Sequence, residues 1–159
     1  MVERLRAARR PQQIGAAGEG IVEVYHAVAR ARGVADLFKV PTPTARRDGA
    51  IVYGKKSVTD FVGVMLGSGK HVAEEVKAVA EWPLAASAVK GHQRGYLDRT
   101  LAAGGVAVLT VVGPDGGVYV IPWSVAKTMR SIRAPEVWLR SPVAYLLLSH
   151  EEPLPELSE

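Results

Sequence analysis

The stretch that most limits what this chain can become is SVTDFVGVMLGSGKHVAEEVKAVA, residues 57 to 80. Apolar and β-branched residues fill both halves, and Gly67-Ser68-Gly69 supplies turn chemistry between them, so it reads as two strands joined by a tight turn. Three charges interrupt the apolar arms: Asp60, Glu75 and Lys77. Strand side chains alternate faces, so Glu75 and Lys77 share one face and Val76 takes the other. Asp60 joins that face only if residues opposed across the hairpin have numbers summing to an odd value. A turn centred on Gly67-Ser68 gives that register and sets Asp60 opposite Glu75. A symmetrical three-residue loop sends Asp60 to the far face.

Charge inside an apolar sheet is expensive unless it is paired or metal-bound. Two adjacent carboxylates repel, and a divalent cation removes the repulsion. Magnesium favours one or two carboxylates plus waters. A lysine two residues on can orient a water or steady developing negative charge. Asp60, Glu75 and Lys77 therefore fit metal-assisted phosphodiester hydrolysis. The plainer reading is an Asp–Lys ion pair on a partly exposed sheet edge.

At 159 residues the chain suits one domain with an ordinary core. Its net charge of +4 permits a polyanionic partner without requiring one. The absence of cysteine excludes disulfides and thiolate metal sites, and the four histidines are not at ligand spacing. No apolar run approaches a membrane span and no signal-peptide core opens the chain, so a soluble cytoplasmic protein is expected.

Residues 1 to 10 form a basic arm: Arg4, Arg6, Arg9 and Arg10 stand against Glu3. A domain is expected over residues 11 to 150. Pro11 to Arg32 reads as a helix with an apolar stripe of Ile14, Ala17, Ile21, Val24 and Val28, which leaves Glu19 on another side. Gly33 to Lys56 reads as a connector carrying Val40-Pro41-Thr42-Pro43-Thr44 and the basic residues Arg46, Arg47, Lys55 and Lys56, with Ile51 to Tyr53 as a short strand. After the hairpin, Ser87 to Ala103 reads as a helix capped by Ser87. Val106 to Val112 reads as a central strand, and Val118 to Ile121 pairs back across a Pro114–Gly117 turn. Ser124 starts a short helix through Met129. Val143 to Leu148 is a strand or a buried helical turn, and residues 151 to 159 form an acidic, disordered tail. Tyr25, Trp82, Tyr96, Trp123 and Trp138 are expected to pack in a core or interface. The order of elements implies the α/β class, a mixed sheet flanked by helices.

Several stretches, taken together and in order, resemble the PD-(D/E)xK nuclease superfamily, and within it the RecU-like Holliday junction resolvases. Gly15-Ala16-Ala17-Gly18-Glu19 resembles the Gly-x-x-x-Glu of the family's first helix, and Lys39-Val40-Pro41-Thr42-Pro43 the Lys-x-Pro-Thr-Pro that precedes its projecting stalk. Thr59-Asp60-Phe61-Val62-Gly63 and Glu75-Val76-Lys77 resemble its Thr-Asp-aromatic-x-Gly and Glu-x-Lys. His92-Gln93 resembles the His-Gln of its second helix, and Val118-Tyr119-Val120 its final hairpin. The resemblance implies a restriction-endonuclease-like fold and a homodimer that cuts four-way DNA junctions by paired symmetric nicks with Mg2+ or Mn2+, and no nucleotide cofactor. It implies that Asp60, Glu75 and the Val76 carbonyl hold the metal, Lys77 orders the attacking water, and Glu19 completes the metal shell directly or through water. It implies that Gln93, with His92, touches the DNA backbone or supports the site from behind, while the charges of Arg9, Arg10, Arg46, Arg47, Lys55 and Lys56 together suggest phosphate contact with DNA. Residues 39 to 57 form a shorter connector than the family's stalk, and the region after Met129 matches poorly. Two other readings share this fold: a nuclease acting on duplex, flap or DNA ends, and a DNA-binding dimer without chemistry.

Overall fold

The computed structural model describes residues 11–42, 44–53 and 57–133. The expected basic arm with Arg9 and Arg10, the pair Lys55 and Lys56, Trp138, the segment 143–148 and the acidic tail lie outside the described residues.

A long helix, α1 (Pro11–Ala31), leads into strand β1 (Ala35–Lys39). Strands β2 (Thr44–Arg47) and β3 (Ala50–Tyr53) pair with each other in a separate two-stranded sheet. Then come β4 (Phe61–Met65) and β5 (His71–Ala78), the two arms of the central hairpin. A two-residue strand β6 (Leu84–Ala85) and a single 3-10 turn precede α2 (Gly91–Ala102). Strands β7 (Val106–Val112) and β8 (Val118–Pro122), the short helix α3 (Trp123–Ala126) and β9 (Ser131–Ile132) follow.

Five strands form the main sheet in the order β1-β4-β5-β7-β8. All neighbours run antiparallel except β5 and β7, which are parallel. A parallel pair needs a crossover, and α2 lies within that crossover. The sheet separates two cores. On one face α1 packs Val22 and Ala29 against Phe61, Val72, Val76 and Val108. On the other, Leu97 of α2 and Trp123 of α3 pack against Ala73, Leu109, Val111 and Ile121. This is a single mixed α/β domain, as the order of elements implies. Central strand β7 is buried at all seven positions, which is why its sequence reads as an unbroken apolar run.

Four elements differ from the sequence reading. The buried side of α1 is Gly18, Val22, His26 and Ala29, while Val24 is 63% exposed and Ala17 is exposed. The helix approaches the sheet through Gly18, where an added Cβ would lie 2.7 Å from the Ala78 Cβ. That contact leaves no apolar mark in the sequence, and the apolar stripe is therefore rotated from the expected one. Within the expected connector, Ala35–Lys39 is the edge strand β1. Helix α2 begins at Gly91 with Lys90 at its N-cap, not at Ser87, because Val89 is anchored in the core ahead of it. The short helix α3 begins at Trp123 rather than after Ser124, and ends at Ala126 rather than Met129.

Candidate active site

The register of the central hairpin decides whether its three charges meet. Phe61 opposes Glu74 and Val64 opposes His71, so the turn is centred between Gly67 and Ser68. Val62 pairs with Ala73, and two residues earlier Asp60 falls on the same face of the sheet as Glu75 and Lys77. Asp60 lies just beyond the end of β4 and is held there by two bonds. Its carbonyl accepts the Val40 N–H at 2.8 Å, and its Oδ2 accepts the Val76 N–H at 2.9 Å. In a strand, the N–H and C=O of one residue point to the same side. The Val76 carbonyl therefore opens toward Asp60, where β4 has stopped.

Glu75 is fully buried. Its Oε1 accepts the Lys77 ammonium at 2.5 Å and the Gln93 amide N–H. The other end of Gln93 is also engaged: its Oε1 accepts the Lys90 N–H at 2.7 Å, so one side chain closes the N-terminus of α2 and grips Glu75. Glu75 Oε2 is buried and meets no hydrogen-bond donor. The Asp60 carboxyl lies on the same face of the hairpin, close enough for the two acids to act on each other electrostatically. Burial, and then the Asp60 charge, push Glu75 up to about 7 against the pull of Lys77. Burial also raises Asp60 above its ordinary value, opposed by the Val76 N–H and by Lys77 and aided by the charge of Glu19.

Glu19 thus lies within electrostatic reach of Asp60, on the flank of α1's buried side and not turned away from it. Its carboxylate pairs with Lys39 of β1 at 2.6 Å. Lys39 is held above its ordinary value by that bond, and the negative charge of Asp60 adds to the effect. Sequence reading passed over Lys39 as a functional residue. It also passed over Glu74, which is as buried as Glu75 but faces α1, where its Oε2 meets His26 Nε2 at 2.5 Å.

The expected DNA contacts divide. Gln93 is in the site. His92 is exposed on the first turn of α2. Arg46 and Arg47 are exposed on β2. The chain leaves for that hairpin at Val40 and returns to Thr59, so the Val40–Asp60 bond ties the hairpin's base to the margin of the site. Clefts of about 300 and 240 Å3 occur near Gly104 and between α1 and β1, and neither is lined by Asp60, Glu75 or Lys77.

Two neighbouring carboxyls of raised proton affinity, one with an unpartnered buried oxygen, form a donor set suited to a divalent cation. The cation would replace the proton and remove the repulsion. Asp60 Oδ, Glu75 Oε2 and the Val76 carbonyl are the oxygens on offer, which matches the sparse protein shell that magnesium accepts. Among the described residues there is no group of three or more His, Cys, Asp or Glu side chains able to hold a metal.

No protein-family model and no curated protein sequence matches this chain. Solved structures do. The structure of Archaeoglobus fulgidus Hjc, a Holliday junction resolvase from an archaeal hyperthermophile, matches over 81% of this chain and 98% of that chain, with a TM-score of 0.54 and 15% identity. No helix among the described residues is long and apolar enough to cross a membrane. The mixed five-stranded sheet with its flanking helices is the fold that this chain shares with the Archaeoglobus fulgidus structure.

Proposed function

We propose that this chain is a metal-dependent, structure-specific endodeoxyribonuclease that resolves four-way DNA junctions by paired symmetric nicks as a homodimer, in the manner of the RecU-like resolvases. One observation carries the reading: Asp60 falls on the same face of the hairpin as buried Glu75 and Lys77, with Glu75 Oε2 unpartnered and Lys77 bonded to Glu75 Oε1. Mg2+ or Mn2+, held by Asp60, Glu75 and the Val76 carbonyl, would supply a Lewis acid and a water of lowered pKa. Lys77 holds its ammonium on Glu75 Oε1, from which it orders the attacking water and offsets charge developing on the phosphate. Glu19 adds a carboxylate from α1, directly or through water. Gln93 fixes the orientation of Glu75 from behind. Arg46 and Arg47, with Arg9, Arg10, Lys55, Lys56 and His92, bind the phosphate backbone.

The test is a panel of labelled four-way junction, flap and plain duplex DNAs, with and without Mg2+. Paired symmetric nicks on the junction alone are expected. Equal cutting of plain duplex would point to a general nuclease, and tight metal-independent binding without cleavage to a silent dimer. Asp60→Asn and Glu75→Gln should each abolish cleavage and spare binding, because a metal ligand is lost but no phosphate contact. Cutting at the normal rate by either variant would refute the assignment.

A further inference from the structure

A second polar cluster lies behind the candidate site, on the other face of β5. Glu74 is fully buried, and it joins three elements. Its Oε2 meets His26 of α1 at 2.5 Å, its Oε1 accepts the Thr110 hydroxyl of β7, and its backbone carbonyl accepts the Thr59 hydroxyl at 2.6 Å. His26 is itself 5% exposed and sets its ring edge-to-face with Phe61, centroids 4.6 Å apart.

An apolar pair of similar volume would hold a helix on a sheet at least as firmly, because burying a polar pair carries a desolvation penalty. What the polar link adds is direction. It fixes the rotation of α1 and its position along the sheet. Seven residues separate Glu19 from His26, which is two helical turns, so both lie on one side of α1. Gly18, next to Glu19, is the point where the helix touches Ala78 most closely. The helix is therefore pinned at both ends of this span. The same Glu74 holds Thr59, the residue before Asp60. Glu74 is thus bonded into both segments that bring acids to Glu75 from outside β5, to α1 through its carboxylate and to Thr59 through its backbone carbonyl.

We propose that Glu74 and His26 are positioning residues that set Glu19 against the Asp60–Glu75 pair, so that α1 delivers its carboxylate to the metal shell. This rests on the nuclease reading above.

The experiment is a double-variant cycle on the full chain, read by calorimetric Mn2+ binding and by junction cleavage. His26→Ala and Glu19→Gln should each weaken Mn2+ binding about tenfold, the scale of losing a group that orients a metal ligand. The double variant should bind no more weakly than Glu19→Gln alone, since His26 acts through Glu19. Glu74→Gln, which keeps an oxygen for Thr110 and a hydrogen-bonding group for His26, should retain far more Mn2+ affinity than Glu74→Ala. If His26→Ala fails to fold by thermal melting, Thr110→Val takes its place in the cycle. A folded His26→Ala with unchanged Mn2+ affinity, or losses that multiply in the double variant, would overturn the proposal. An unaltered chain that neither binds Mn2+ nor cuts DNA would remove the nuclease reading and this inference with it.

Discussion

At the scale of single residues, the informative group is Glu75. Its carboxyl ordinarily titrates near 4.5, and in the folded chain burial and the Asp60 charge raise it to about 7. Between those values the folded chain keeps a proton that the unfolded chain releases. Stability of the metal-free protein is therefore fully present below about pH 4.5 and lost as pH rises through about 7, by on the order of 3 kcal/mol. Asp60, also raised, acts in the same direction. The melting temperature of metal-free protein should fall between about pH 5 and pH 8, and Glu75→Gln should flatten that fall. Mg2+ should restore stability most at the alkaline end, because it binds the deprotonated pair. A metal-free melting temperature that rises with pH would contradict the burial of this carboxyl. Strand alternation put Glu75 and Lys77 on one face in sequence, and of the two registers open there for Asp60 the hairpin adopts the one centred between Gly67 and Ser68. The role of Glu74 was not legible there. Its partner His26 lies 48 residues away, and nothing local to Glu74-Glu75 says that the first acid turns to a helix while the second turns to the site.

At the scale of elements, two contacts carry the architecture of the site's neighbourhood. Gly63 of β4 lies against β1 so closely that an added Cβ would fall 2.0 Å from the Asp36 carbonyl oxygen. Gly63→Ala must push β1 away, and with it Lys39 and the Val40–Asp60 bond. It should destabilise the fold by roughly 1–3 kcal/mol in denaturant titration, and slow cleavage beyond what stability alone explains. The β2–β3 hairpin turns through Asp48-Gly49, both at positive φ (49° and 79°), the geometry that matches the twist of a two-residue hairpin loop. It presents Arg46 and Arg47 to solvent. If these two meet phosphates, Arg46→Ala with Arg47→Ala should weaken junction binding and lower the slope of log affinity against log salt by about 1.8. An unchanged slope would make the hairpin a bystander. The central strands were readable because they are long, apolar and bounded by turns. Strand β1 was not, since ADLFK buries only Ala35 and Leu37 and reads as a charged connector. The stripe of α1 misled because its tightest contact is made by a glycine.

At the scale of the whole molecule, the described fold supplies one set of Asp60, Glu75 and Lys77, whereas resolving a four-way junction takes two cuts related by symmetry. The proposed two-fold dimer would answer this by presenting two equal sites to a two-fold substrate. The order of elements was enough to give a mixed sheet, because a helix between β5 and β7 dictates a parallel pair there. The pairing of subunits has no such local signature. A surface that meets another copy is chosen by shape and charge over many residues far apart in sequence. The consequence can be tested without locating that surface. On a supercoiled plasmid carrying a cruciform, the unaltered protein should produce linear DNA, since both strands are cut within one binding event. Protein assembled from equal parts unaltered chain and Glu75→Gln should yield mostly nicked circles from its mixed dimers, because one subunit holds its metal ligands and the other has lost one. If each chain instead cut as an independent monomer, diluting active with inactive chain would slow the reaction and leave the ratio of linear to nicked product following the amount of active chain alone. The yield of nicked circles at matched active-chain concentration separates the two cases, and a yield no higher than that of active chain by itself would refute the paired mechanism while leaving the Asp60–Glu75 site intact.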